Sequence, residues 1–254
     1  MKYSFRNVLL ITWLILLVSC QPKVVKTGFE TENISVSVAA SSLDSSIIQL
    51  YQPYKELLDD DMQRVISYSE QEMSKDKPES LLTNFLADML LDEATRESEK
   101  QGLGIQPDVS FFNYGGIRTS LPKGDITVGK IFELMPFENQ MVFLKLKGEK
   151  MKEFLDYVAG NGGDSVGGVR FRIADDKADD ITIGGNAFDP EKSYWIVTND
   201  YVAAGGDGLS MFQDSEQFVE SDAKIRDVII SYMEHQQDQN KNLVVILDGR
   251  ISYE

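Results

Sequence analysis

Histidine and cysteine are the scarcest reactive residues in this 254-residue chain, at one each, and their scarcity excludes whole classes of chemistry. With Cys20 alone there is no intrachain disulfide and no thiolate metal cluster. His235 cannot by itself supply a His-rich dinuclear metal site. Its place between Glu234 and Gln236, on the polar side of an expected C-terminal helix, reads as a solvated position rather than the base of a Ser-His-Asp arrangement. Basic residues are also short: 25 Lys and Arg against 41 Asp and Glu leave a formal charge of −16. That excess is spread along the chain and argues against a surface for a nucleic-acid polymer, while leaving room for a basic pocket that holds one phosphate-bearing small molecule. Walker-type and dinucleotide-binding glycine motifs are missing. The acidic runs Asp59-Asp60-Asp61, Asp175-Asp176 and Asp179-Asp180 lack the spacing of a calcium-binding loop and read as solvated faces.

Long apolar runs are confined to the N-terminus. Lys2 and Arg6 precede a run from Val8 to Val18, too short to span a bilayer comfortably, and Leu17-Val18-Ser19-Cys20 closes it. A positive start, a short apolar segment and a small residue before a cysteine read as a secretory signal peptide over residues 1–19. The LVSC ending resembles a bacterial lipoprotein box, which makes Cys20 the expected lipidated first residue of the mature chain; a free thiol or a cut elsewhere is the alternative. Residues 20–42 are polar and without sustained periodicity, so they read as a lipidated tether with one early strand around Ile34 to Val38. On this reading the protein is anchored to a membrane through lipid, in the bacterial periplasm or at the cell surface.

From residue 43 to 254, helical and strand patterns alternate in mixed order without an internal repeat, which indicates a single α+β (mixed α/β) domain with a mixed sheet and flanking helices. Tyr54 to Ser69 is expected to be helical. PESLLTNFLADMLLDEATRESEK places Leu81, Leu82, Phe85, Leu86, Met89 and Leu90 at helical spacing, with Pro78 in the first turn and Asn84 and Asp88 readable as solvated positions. VFLKLKG alternates as a half-buried strand should, and GEKMKEFLDYVAG is a helix that stops at Gly160. VRFRI alternates again, and ITIGGNAFDPEKSYWIVTNDY is turn-rich and hairpin-like. AKIRDVIISYMEH is a helix with Ile225, Val228, Ile229, Tyr232 and Met233 facing inward.

Three glycine-bearing turns each stand at the end of an expected strand: Asn113-Tyr114-Gly115-Gly116-Ile117-Arg118, Gly167-Gly168, and Gly205-Gly206-Asp207-Gly208. Ligand loops are commonly placed there, and glycine lets the backbone approach a bound group. Arg118 offers a planar guanidinium to a carboxylate or phosphate, Asn113 a donor and an acceptor, and Asp207 an acceptor pair. Phe137 and Tyr201 add flat apolar faces. Together they suit a ribose, a phosphate and a stacked base. Taken singly, Phe137 reads as core, Arg118 as a surface ion pair and the Gly-Gly-Asp-Gly tetrad as a tight turn.

NYGGIR, PFEN, GDSVGGVRF and NDYVAAGGDG occur in this order, with PESLLTNFLADML before them and DGRIS after. In this the chain resembles the C-terminal, substrate-binding domain of the 5′-nucleotidase family, from about Tyr51 to Ile251. In that family the domain grips the nucleoside, helps seat the phosphate, and follows a metallophosphatase domain with two metals and a catalytic histidine. The resemblance implies that Asn113 and Arg118 face phosphate and substrate, that Phe137 and Tyr201 sandwich the base, and that Asp207 holds the ribose hydroxyls. It also implies that Gly168 lies in the loop beside the base. The chain departs from the family at Lys77-Pro78, where an arginine is frequent, at Thr83, where glycine is expected, and at Tyr201, which replaces a frequent phenylalanine.

About thirty residues separate Cys20 from the start of the resemblance, and one histidine cannot furnish a dinuclear phosphatase site. This chain is therefore not expected to catalyse hydrolysis alone: it is assigned no catalytic residue, metal ligand or cofactor, and divalent metals are expected only in a separate metallophosphatase chain. The expectation is a nucleotide- or nucleoside-binding specificity domain of a split 5′-nucleotidase, acting with that partner in nucleotide hydrolysis. A stand-alone nucleoside-binding lipoprotein for capture or sensing, or a structural remnant without ligand, is the alternative.

Overall fold

Apolar side chains leave both faces of one sheet, and the helices are arranged to cover them. The computed structural model describes residues 45–254; the expected signal peptide, Cys20, the expected tether and the strand expected around Ile34 to Val38 lie outside the described residues. Contacts within the chain divide it into Met1–Leu50 and Tyr51–Glu254, and the second unit carries the sheets.

In chain order the first elements are α1 (Ser45–Gln63), β1 (Val65–Ser69), α2 (Leu81–Lys100), β2 (Val109–Phe112), β3 (Gly124–Thr127) and α3 (Val128–Leu134). Next come β4 (Gln140–Lys147), α4 (Gly148–Gly160), β5 (Ser165–Gly167), β6 (Val169–Ala174), β7 (Lys177–Ile183) and β8 (Asn186–Ala187). The last are β9 (Ser193–Asn199), α5 (Asp200–Ala203), β10 (Gln217–Lys224), α6 (Ile225–Asp238) and β11 (Ile251–Tyr253).

The central sheet has the order β10-β4-β9-β2-β5. Within it β4 is antiparallel to both neighbours, β2 is parallel to β9, and β5 is antiparallel to β2. Alternate residues of β4 enter two different cores. Met141 and Phe143 pack with Leu82, Leu86 and Met89 of α2 and Ile229 of α6, whereas Val142, Leu144 and Leu146 pack with Met151, Phe154 and Leu155 of α4. The half-buried strand expected of VFLKLKG is thus a strand buried on both faces: only Lys145 and Lys147 interrupt an otherwise continuous apolar run, as suits a strand covered by helices on either side. A second sheet, β11-β6-β7-β8, and the β1-β3 ribbon complete the fold.

Two expected helix boundaries are corrected. Residues Tyr54 to Ser69 do not form one helix: α1 ends at Gln63, and VISYS, rich in β-branched and aromatic residues, forms β1 against β3. Helix α2 begins after Ser80, whose hydroxyl accepts the Thr83 amide while Thr83 Oγ1 accepts the Ser80 amide, so Pro78 precedes the cap instead of filling the first turn. Thr83, the residue found where the family has glycine, is thereby used in a capping box. Helix α4 ends at Gly160, as expected, and is capped at Asn161, whose amide reaches back to the Tyr157 carbonyl. On α2, Asn84 is buried and donates to Glu79 at 2.8 Å, while exposed Asp88 receives both terminal nitrogens of buried Arg250 at 2.7 Å. That bidentate pair ties the DGRIS segment to α2.

Phe154 lies with its ring centroid 5.0 Å from Phe111 and 5.2 Å from Phe212, at the centre of the second core. Replacing Phe154 by Ala is expected to lower unfolding stability by about 3–5 kcal/mol, read from the urea midpoint at unchanged m-value, with Phe154→Leu costing less.

Candidate functional site

Strand directions decide which loops meet. Because β2 and β9 are parallel they end at the same edge of the sheet, and because β4 and β5 are antiparallel to them they begin there. That edge therefore collects Asn113 after β2, Asn139 before β4, Asp164 before β5 and Asn199 at the end of β9, with Ile225 following β10. A cavity of about 360 Å³ opens there, lined among others by Asn113, Arg118, Phe137, Tyr201 and Asp207. Its volume is that of a small-molecule pocket. Five of the six binding residues expected from the sequence are thus brought together from three loops.

The two aromatic residues are not core residues. Phe137 is 47% and Tyr201 50% exposed, and both line the cavity. The loop of Phe137 is held by Arg226, only 6% exposed, which donates to the Pro136 carbonyl at 3.2 Å and pairs with Glu138 at 3.3 Å. Lys224 pairs with the same Glu138 at 2.8 Å.

A chain of side-chain hydrogen bonds crosses the floor. Asn139 Nδ2 donates to Asn199 Oδ1 at 3.1 Å, Asn199 Nδ2 to Asn113 Oδ1 at 3.2 Å, and Asn113 Nδ2 to Asp207 Oδ2 at 2.6 Å. The Tyr201 hydroxyl donates to the other carboxylate oxygen of Asp207 at 2.9 Å. Asn113 and Asn199 are buried, so leaving either without partners would cost stability, and satisfying them fixes the direction of the Asp207 carboxylate. Asn199 Oδ1 also accepts the Val202 amide at 3.1 Å and so caps α5, the short helix that carries Tyr201. The backbone of Asp207 is left-handed, at φ 54°, and its carbonyl accepts the Tyr157 hydroxyl at 2.8 Å. Gly206 before it has no space for a side chain: a Cβ would stand 2.5 Å from the Tyr201 ring. The Gly-Gly-Asp-Gly tetrad is at once a tight turn and one wall of the cavity.

The turn between Asn113 and Arg118 supplies positive charge. Arg118 donates to the Gly115 carbonyl at 3.1 Å and, among the described residues, makes no salt bridge, so the expected surface ion pair is not formed. Lys75 donates to the Tyr114 and Ile117 carbonyls at 2.9 and 2.7 Å, with its ammonium 4.1 Å above the Tyr114 ring. Burial first, and the nearby Arg118 charge second, hold the Lys75 ammonium below its ordinary pKa. Lys77 lies 5.1 Å over the same ring and donates to the Asn161 carbonyl.

Gly168 is the exception. Strand β5 pairs Ser165 with Phe112 near the cavity and Gly167 with Ser110 farther from it, so Gly168 falls toward the opposite edge. Its φ is +75°, and a Cβ there would meet the Asp108 carbonyl at 2.2 Å. Chain packing accounts for this glycine, which does not line the cavity. Conversely, Asn139, Asn199, Met135 and Ile225 line the cavity without having been singled out. Asn139 closes the PFEN motif and Asn199 opens NDYVAAGGDG, so both carried a signal. Exposed His235 contacts Gln239 at 2.7 Å on α6. Among the described residues, no group of three or more His, Cys, Asp or Glu side chains is arranged to hold a metal ion.

Comparison with known proteins points to one family. The model of the family described as "5′-nucleotidase, C-terminal domain" matches residues 60–214. The chain is 24% identical over 239 residues to a 5′-nucleotidase of Vibrio cholerae serotype O1, covering 91% of this chain and 42% of that protein. It is 28% identical over 243 residues to protein UshA of Yersinia enterocolitica, with the same coverages of 91% and 42%. The crystal structure of a 5′-nucleotidase precursor from Thermus thermophilus superposes with a TM-score of 0.65 at 26% identity, over 82% of this chain and 42% of that one. The chain thus spans less than half the length of each of these relatives. With more than half of its residues matched in one ordered stretch, and with a mixed α+β fold shared with the solved relative, the chain belongs to the 5′-nucleotidase C-terminal domain family.

Proposed function

We propose that this chain is the nucleotide- or nucleoside-binding, substrate-specificity part of a split 5′-nucleotidase, and that a separate metallophosphatase chain supplies the metals, the activated water and the proton transfers. The observation that carries this reading is the convergence, in one cavity, of two half-exposed aromatic rings, an oriented carboxylate and a guanidinium free of salt bridges among the described residues. A base seats against Phe137 and Tyr201, each ring contributing about 1–3 kcal/mol. Each oxygen of Asp207 accepts one hydrogen bond from the protein and keeps further acceptor capacity for a ribose hydroxyl. Arg118 and Asn113 face the phosphate side. Holding the nucleotide in one orientation raises the rate of a reaction performed by groups on another chain.

Relatives named as 5′-nucleotidases support the substrate class, and the single histidine supports placing the phosphatase chemistry elsewhere. In the same reading Cys20 carries the lipid that holds the protein at a bacterial membrane, on the periplasmic side or at the cell surface; the LVSC segment supports this.

Calorimetric titration of the purified full chain with adenosine and AMP is expected to show metal-independent binding. Phe137→Ala and Tyr201→Ala are each expected to weaken it by about 1–3 kcal/mol, roughly 5- to 150-fold, and the double variant to abolish measurable binding. Absence of binding to any nucleoside or nucleotide overturns the reading. Adding the chain to a candidate metallophosphatase is expected to raise nucleotidase activity or lower KM relative to that enzyme alone. Binding without any such gain would favour a stand-alone capture protein.

A further inference from the structure

Three consecutive residues at the junction of β10 and α6 hold the chain on either side of Phe137. The Ile225 amide donates to the Asn139 carbonyl at 2.9 Å. Lys224 Nζ pairs with Glu138 at 2.8 Å. Arg226 donates from one terminal nitrogen to the Pro136 carbonyl at 3.2 Å and from the other to Glu138 at 3.3 Å. Residues 136, 138 and 139 are thereby fixed from outside their own loop, while Phe137 between them is 47% exposed and lines the cavity. Phe137 falls inside the stretch matched to the family, residues 60–214, and the three residues that hold its loop fall beyond it.

Arg226 is the unusual member of the three. It is 6% exposed, its guanidinium carbon lies 4.1 Å over the Phe132 ring, and its Nε has no hydrogen-bond partner among the described residues. Its ion-pair partner Glu138 has a side chain 65% exposed. A buried cation with an unsatisfied nitrogen and a solvated partner is a poor device for stability alone, since an apolar side chain of similar volume is often as stable in such a place. What the guanidinium does that an apolar chain cannot is reach, with one planar fork, the acceptors on both sides of Phe137.

We propose that Arg226 is a positioning residue for base stacking: with Lys224 and Ile225 it holds residues 135–139 so that the Phe137 ring is in place before a base arrives. Arg226 does not line the cavity and acts on the ligand only through Phe137. A ring fixed in advance spares binding the cost of ordering it. The inference rests on the nucleoside-binding reading.

The test is a double-mutant cycle between Arg226→Met and Phe137→Ala, read by calorimetric titration of the full chain with adenosine. Methionine keeps an apolar stem over Phe132 and removes only the fork, so the variant is expected to fold. With Phe137 present, Arg226→Met is expected to weaken adenosine binding about three- to tenfold, the scale of ordering one side chain and its loop. With Phe137→Ala already in place, Arg226→Met is expected to cause no further loss, because the ring through which it acts is gone. Should Arg226→Met not fold, Glu138→Ala, at an exposed position, removes the shared acceptor and is judged by the same cycle. Unchanged affinity on losing the fork, or an equal loss with and without the Phe137 ring, overturns the inference. If wild type binds no adenosine the proposed function falls, and the order of the loop decides separately by ¹⁵N relaxation. Order parameters at Phe137 and Glu138 that drop from about 0.85 in wild type to below about 0.6 in Arg226→Met uphold the positioning role; values that do not change overturn it.

Discussion

The structure depends on covering the central sheet on both faces. Alternate residues of β4 enter opposite cores, and β9 and β2 do the same: Val197 and Phe112 face the α2/α6 side, Ile196, Val109 and Phe111 the α4 side. A slip of one residue in any of these strands would exchange the two sets of side chains, so packing fixes the register strongly. Register in turn sets the level at which each strand ends. The cavity lies at that level, and the positions of Asn113, Asn139 and Asn199 follow from hydrophobic packing some distance away.

Orientation within the cavity is a matter of polar satisfaction. Buried asparagines cannot be left without partners, and here they satisfy one another in series until the last donates to Asp207. The carboxylate is consequently aimed before any ligand arrives, which reduces what binding must spend on ordering it. Tyr201 belongs to the same series through its hydroxyl, and thus joins the flat face and the polar anchor in one residue. The substitution of tyrosine for the family's frequent phenylalanine has a structural consequence here: it adds a second hydrogen bond to Asp207.

The basic side of the pocket shows how an acidic chain accommodates local positive charge. Lys75, Lys77 and Arg118 gather around the Tyr114 turn, with backbone carbonyls and the ring face as neighbours. Lys77 stands where the family often has an arginine. It remains beside the site through its contacts with Tyr114 and Asn161 rather than through a salt bridge.

The sequence by itself determined the mixed α+β class, the apolar stripes of α2 and α6, and the motifs that bear Asn113, Phe137, Tyr201 and Asp207, because periodicity and turn chemistry are local properties. It also determined the lack of a histidine-rich centre in this chain, since composition alone settles that. Only the tertiary structure decided that VFLKLKG is buried on both faces, since the helix that covers its second face is a separate element and not part of the strand's own pattern. It alone placed Gly168 at the far edge, because that depends on the antiparallel direction of β5 relative to β2. It alone recruited Asn139 and Asn199: their partners lie dozens of residues away in the chain, and a hydrogen bond between distant segments leaves no periodic mark in the sequence.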